Sequence, residues 1–194
     1  MSKKNEIRDF IYKKILILEK ESSSGEGKAM LAQLRRGLGK KPGDDPRLFG
    51  VLLQDMPEDF FGKDGVPTKE EWACYIALTL YAMHQQGKSI SDNKMNTSEN
   101  ISLGTAMRQL AVSQGDDNSW IRIQEKYKSL VGALDIVAIE NYLRGIISLL
   151  KSKSIPINYS MLAADLYEIQ FADSKSKVIL RWGQDLYRVK KEKE

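Results

Sequence analysis

A chain of 194 residues with 42% hydrophobic composition is long enough to bury its own core, as one large domain or two small ones. Its longest apolar run, ACYIALTLYAM at 73–83, is too short to cross a bilayer. The opening MSKKNEIRDF lacks the apolar segment of a secretory signal, and a single cysteine permits no internal disulfide, so a cytoplasmic protein with no membrane partner is expected. The net charge of +4 conceals a segregation: residues 1–41 carry 11 Lys/Arg against 5 Asp/Glu, residues 42–71 carry 3 against 8, and residues 72–194 carry 16 against 13. Basic ends around an acidic connector suggest one face for a polyanion and another for a different partner.

Apolar residues recur at three to four positions almost everywhere, and no two-residue alternation bounded by hairpin turns stands out, so the chain reads as all-α. Ile7, Phe10, Ile11 and Leu18 mark the buried face of a first helix that ends in the SSSGEG breaker. A second runs through Leu31 and Leu34 to Gly37 or Gly39, where glycine tolerates the left-handed backbone that stops a helix. Asp45-Pro46 pairs a cap with a first-turn proline and opens a short helix through Leu48 and Leu52, ending near Pro57; FFGKDGVP is a turn-rich connector. Thr68 and Glu71 form a capping box for KEEWACYIALTLYAMHQQG, apolar on most of its circumference and therefore a central helix, closed by Gly87.

Residues 88–100, KSISDNKMNTSEN, have little to bury and are expected as a flexible polar loop. Beyond them SLGTAMRQLAV, SWIRIQEKYKSL, LDIVAIENYLRGIISLLKSK, NYSMLAADLYEIQ and SKVILRWGQDLYRVKKEKE read as five helices, the third starting near Asp135 and the last fraying into a charged tail. The expected architecture is a compact bundle of about eight or nine helices, divisible into an N-terminal helical subdomain (1–87), the polar loop (88–100) and a C-terminal helical subdomain (101–194).

Catalysis needs groups that converge, and the usual ones are scarce. One histidine, His84, excludes a His-pair metal site and fits a core or capping role near a helix end; Cys74 sits in an apolar pattern and reads as core packing. Asp44-Asp45 and Asp116-Asp117 lie beside turn residues and read as helix caps in preference to magnesium ligands. GEGKAM and GLGKKPG lack the strand, the spacing and the hydroxyl of a nucleotide-binding loop. No enzymatic activity, cofactor or metal is expected.

What remains is a recurrence of isolated arginines on small-residue or apolar helices: Arg35 and Arg36, Arg108, Arg122, Arg144 and Arg181, with Lys40, Lys41, Lys126, Lys175 and Lys177 nearby in sequence. Each alone is an ordinary solvated or paired charge. Together they are able to line a groove that follows a phosphate backbone without reading bases. Trp120, Tyr127, Trp182 and Tyr187 are candidates to add stacking, although aromatics at helical spacing are first of all core residues.

LRRGLGKKPG, WACYIALTLYAMHQQG, SLGTAMRQL, NYLRGIISLLKSKSIPINYSMLAADLYEIQ and VILRWGQDLY, in that order, resemble the CasB family, the small subunit of the CRISPR type I-E Cascade surveillance complex. The resemblance implies a non-catalytic, all-helical subunit present in two copies head to tail along the belly of a ribonucleoprotein. Such a subunit contacts the backbone subunits that hold the guide RNA and the large subunit, and its basic face guides the displaced single strand of target DNA. Arg35, Arg36, Arg144, Lys175, Lys177 and Arg181 match the family's basic landmarks. Arg108, Arg122 and Lys126 join them by proximity, and Lys40 and Lys41 form a softer electrostatic margin. The stretches at 50–66 and 88–100 depart from the family pattern. A helical protein-interaction adaptor, its arginines facing acidic partners, is the competing reading.

Overall fold

The computed structural model describes residues 2–115 and 117–188. Among them the chain forms nine α-helices and no strand: α1 (Lys3–Glu21), α2 (Gly25–Arg36), α3 (Phe49–Leu52), α4 (Lys69–Gln85), α5 (Leu103–Gln114), α6 (Asp117–Val131), α7 (Ile136–Ser152), α8 (Tyr159–Glu168) and α9 (Ala172–Tyr187). Short 3-10 turns at Pro46–Leu48 and Glu58–Phe60 punctuate the connector before α4. The all-α bundle is therefore as the periodicity predicts. Asp116, half of an expected cap, and the charged tail beyond residue 188 lie outside the described residues.

α4 is the hub. Its start is fixed by reciprocal bonds: the Glu71 amide donates to Thr68 Oγ1 at 3.0 Å, and the Thr68 amide donates to Glu71 Oε2 at 2.7 Å. Every residue from Ala73 to Ala82 is then buried, as a helix that is apolar all round requires. α1, α2, α7 and α8 surround it, and α1 also lies along α8, so elements from both sides of the 88–100 segment share one hydrophobic cluster. α1 contributes Ile7, Phe10, Ile11, Ile15 and Leu18, spaced at helical intervals on one face.

Residues 88–100 are tied down by polar contacts despite their composition. The Gln85 side chain donates to the carbonyls of Lys88 and Asn93 and accepts from the Met95 amide, which carries Met95 into full burial. Asn96 then bridges to Ile157.

The second half is locked through α9. Trp182, fully buried, donates its indole N–H to Asp165 Oδ2 at 2.6 Å, and the Arg181 guanidinium pairs with the same carboxylate and with Glu168 at 3.1 Å. The start of α5 rests directly on α9: a Cβ on Gly104 would fall 2.0 Å from the Trp182 carbonyl oxygen, so the Ser-Leu-Gly step is a steric requirement.

His84 and Cys74 both belong to the core, with no exposed surface. Burial pushes the Cys74 thiol well above its ordinary range, away from the thiolate that nucleophilic chemistry needs. Burial first, then Lys88 and Lys151, lower the His84 imidazole to about 3, and its Nδ1 lies 3.0 Å from the Tyr159 hydroxyl.

Candidate nucleic-acid interface

α2 ends on Arg35 and Arg36, and the turn that follows passes through Gly39 at φ +75°, a conformation suited to glycine. α7 holds this turn from outside. Glu140 accepts the Gly39 amide at 2.7 Å, and the Arg144 guanidinium covers Gly39 so closely that a Cβ there would stand 2.8 Å from Nη1. Arg144 is steadied by a 2.7 Å bond from Nη2 to Asn141 Oδ1. The stretch GLGKKPG is thus a helix stop clasped by an acid and an arginine 101 residues or more away in sequence.

Two turns farther along α7 is Lys151, whose side chain reaches Gln86, a residue that lines one cleft together with Arg35 and Lys88. Lys151 donates to Gln86 Oε1 at 3.2 Å and Lys88 to Ser154 Oγ at 2.6 Å, both neutral acceptors. No carboxylate among the described residues forms an ion pair with Arg35, Lys88 or Lys151. Burial lowers the Arg35 guanidinium from its ordinary value; burial, then Arg35 and Lys88, lower the Lys151 ammonium. A cleft of about 640 Å³ opens here between α1, α2 and the 85–94 segment, with Lys20, Lys28, Arg35, Lys88 and Lys94 on its walls. Its acid, Glu19, is engaged by Lys94 at 2.9 Å.

The remaining candidates distribute as follows. Lys40 lies 3.5 Å from Asp45, whose carboxylate is gripped by Arg47, and Lys41 is exposed, its amide capped by Asp44. Arg122 and Lys126 line a second cleft, between α6 and α7, whose wall includes Asn141, the residue that steadies Arg144. Arg122 also bonds Ser119 Oγ at 2.7 Å. Asn141 therefore links the α2 terminus to the α6 cations. Elsewhere, Arg108 on α5 donates to the Arg188 carbonyl, and Lys177 is exposed on α9. Lys175 and Arg181 are employed within the fold, Lys175 on the Ala133 carbonyl at 2.9 Å and Arg181 on Asp165 and Glu168.

Sequence reasoning missed Lys20, Lys28, Lys88, Lys94 and Lys151. A signal existed for two of them: Lys28 precedes Arg35, and Lys151 follows Arg144, by seven residues, which places each pair on one helix face. Lys88 and Lys94 sit in the segment read as a free loop.

The fold and this face define an all-helical protein in which Arg35, Lys88 and Lys151 form no ion pair with a carboxylate of the described residues; among those residues no group of three or more His, Cys, Asp or Glu could hold a metal ion. Residues 30–187 match the family model of the CRISPR-associated protein Cse2, and the chain belongs to that family, the CasB subunits of CRISPR Cascade. It is similar to the crystal structure of CasB from Thermobifida fusca, with 27% sequence identity, a TM-score of 0.75, and coverage of 94% of this chain and 98% of that one. A search of curated proteins finds no match. Among the described residues no helix is long and apolar enough to cross a membrane.

Proposed function

We propose that this chain is a non-catalytic brace in a cytoplasmic, RNA-guided DNA surveillance complex of antiviral defence, and that it holds the displaced non-target strand to stabilise the R-loop. The carrying observation is the group Arg35, Lys88 and Lys151: Arg35 and Lys88 line one cleft, Lys151 bonds Gln86 on the wall of that cleft, and no carboxylate among the described residues forms an ion pair with any of the three. Like charges gathered around one cleft are stabilised when an anion arrives, and a phosphate backbone supplies anions at regular spacing. Arg36 and Arg144 extend the group along the end of α2, with Lys40 and Lys41 at its margin; Arg122 and Lys126 continue it across α7.

R-loop formation is nearly balanced between the duplex lost and the heteroduplex gained, so modest backbone contacts decide its direction. The expected partners are the large and backbone subunits, the guide RNA, the displaced strand and a second copy of the chain. Leu134, 93% exposed, together with Ile121, Val137 and Tyr142, gives the α6–α7 side an apolar surface suited to the protein contacts.

The test is binding of random-sequence single-stranded DNA across a salt series. Five phosphate contacts, from Arg35, Arg36, Lys88, Arg144 and Lys151, predict a slope of log K against log salt of about −3.5, and Arg35→Glu with Lys151→Glu removes at least about 1.4 of it. Circular dichroism checks that the variant stays folded. A slope near zero in the parent, or one unchanged in the variant, refutes the reading and favours the adaptor.

A further inference from the structure

We propose that the cleft where α5, α6 and the end of α9 meet is a nucleobase site, which takes one unpaired base of single-stranded DNA. The proposal rests on the single-strand reading above but concerns a different surface and a different chemistry. Trp120 and Tyr187 meet there edge to face, ring centroids 5.5 Å apart and planes at 87°, so the two aromatics form a corner. A flat ring entering such a corner stacks on one aromatic while its edge meets the other. Tyr187 is 50% exposed and Val112, which also lines the cleft, 75% exposed, so the described residues leave apolar surface open here. The cleft measures about 580 Å³, within the size range of small-ligand sites.

Charge selects the occupant. Arg108 and Arg188 border the cleft, and Arg108 is anchored by its bond to the Arg188 carbonyl, so a guanidinium stands beside the aromatic corner. No carboxylate among the described residues forms an ion pair with Arg108, and Asp185 approaches Arg188 at 3.7 Å. A base in the corner would place its own phosphates at this rim. Gln109 lines the cleft with an amide able to meet the polar edge of any base. Another apolar cleft, around Leu48, Phe49 and Met56, is bordered by Asp45 and Glu71 within the acidic connector and has no such complementarity to a nucleotide.

The experiment compares an oligothymidylate with an abasic strand of equal length and charge, at one salt concentration, using the intact chain. The parent is expected to bind the base-bearing strand about tenfold more tightly, the lower range of one stacked base, with quenching of tryptophan emission. Tyr187→Ala, at a half-exposed position, should abolish the preference and leave affinity for the abasic strand unchanged. Trp120→Phe should keep the preference and lose the quenching. Equal affinity of the folded parent for the two strands overturns the proposal while the backbone-binding reading stands. No binding of either strand overturns both. If Tyr187→Ala instead reduces co-purification with the other Cascade subunits and keeps the base preference, the cleft docks protein and the proposal is wrong.

Discussion

Acidification below about pH 6.5 should destabilise this protein through His84. The imidazole is fully buried and, through that burial and the charges of Lys88 and Lys151, is held at about 3, against an ordinary 6.5 in the unfolded chain. Below pH 6.5 the unfolded state takes up a proton that the native state refuses, so stability falls as pH falls, and continues to fall until the native imidazole itself titrates near 3. Each pH unit in that window is worth about 1.4 kcal/mol, which makes the His84 contribution about 2 kcal/mol between pH 6.5 and pH 5. His84→Gln removes the titration and keeps an amide to meet the Tyr159 hydroxyl. Urea unfolding at pH 7 and pH 5 should show the parent losing about 2 kcal/mol more than the variant. Comparing the two also cancels buried Glu140 and Asp165, whose carboxyls burial raises and whose protonation acts in the opposite sense. Equal losses in parent and variant would mean that the native imidazole accepts its proton readily, and the account of its burial would fail.

Two further substitutions test the packing. Gly104→Ala sets a methyl against the Trp182 carbonyl and should cost about 2 kcal/mol, read as a lowered thermal midpoint with unchanged helical content well below it. Asp165→Asn keeps an acceptor for the Trp182 indole but leaves Arg181 with Glu168 alone; the expected cost is about 3 kcal/mol by urea unfolding, and a cost below about 0.5 kcal/mol would show the pair to be dispensable.

What the sequence discloses is what depends on neighbours within a turn or two. The Thr68 and Glu71 box, the Asp45 cap, the helix start at Asp135 and the burial of α4 all follow from local spacing, and all are present. The partners of charged side chains lie beyond that range. Arg144 has no local mark of its placement over Gly39, and Arg181 matches a basic landmark while its acids, Asp165 and Glu168, lie on the preceding helix. The 88–100 segment misleads for a related reason. Its order comes from hydrogen bonds to Gln85, and polar composition records nothing about where such bonds are made. Lys88 therefore reaches the Arg35 group from a segment that looks like a tether.

The Gly104 contact has a mechanical consequence. Where helices meet through side chains, a load between them can be absorbed by a change of rotamer. At this point α5 meets the α9 main chain with no side chain from Gly104 in between, so the joint has no soft element and a force on one helix passes directly to the other. α5 and α9 are also two of the walls around Trp120 and Tyr187. A pull on a strand seated in that corner would pass between α5 and α9 and be carried through Trp182 and Asp165 into α8, which packs on the central helix.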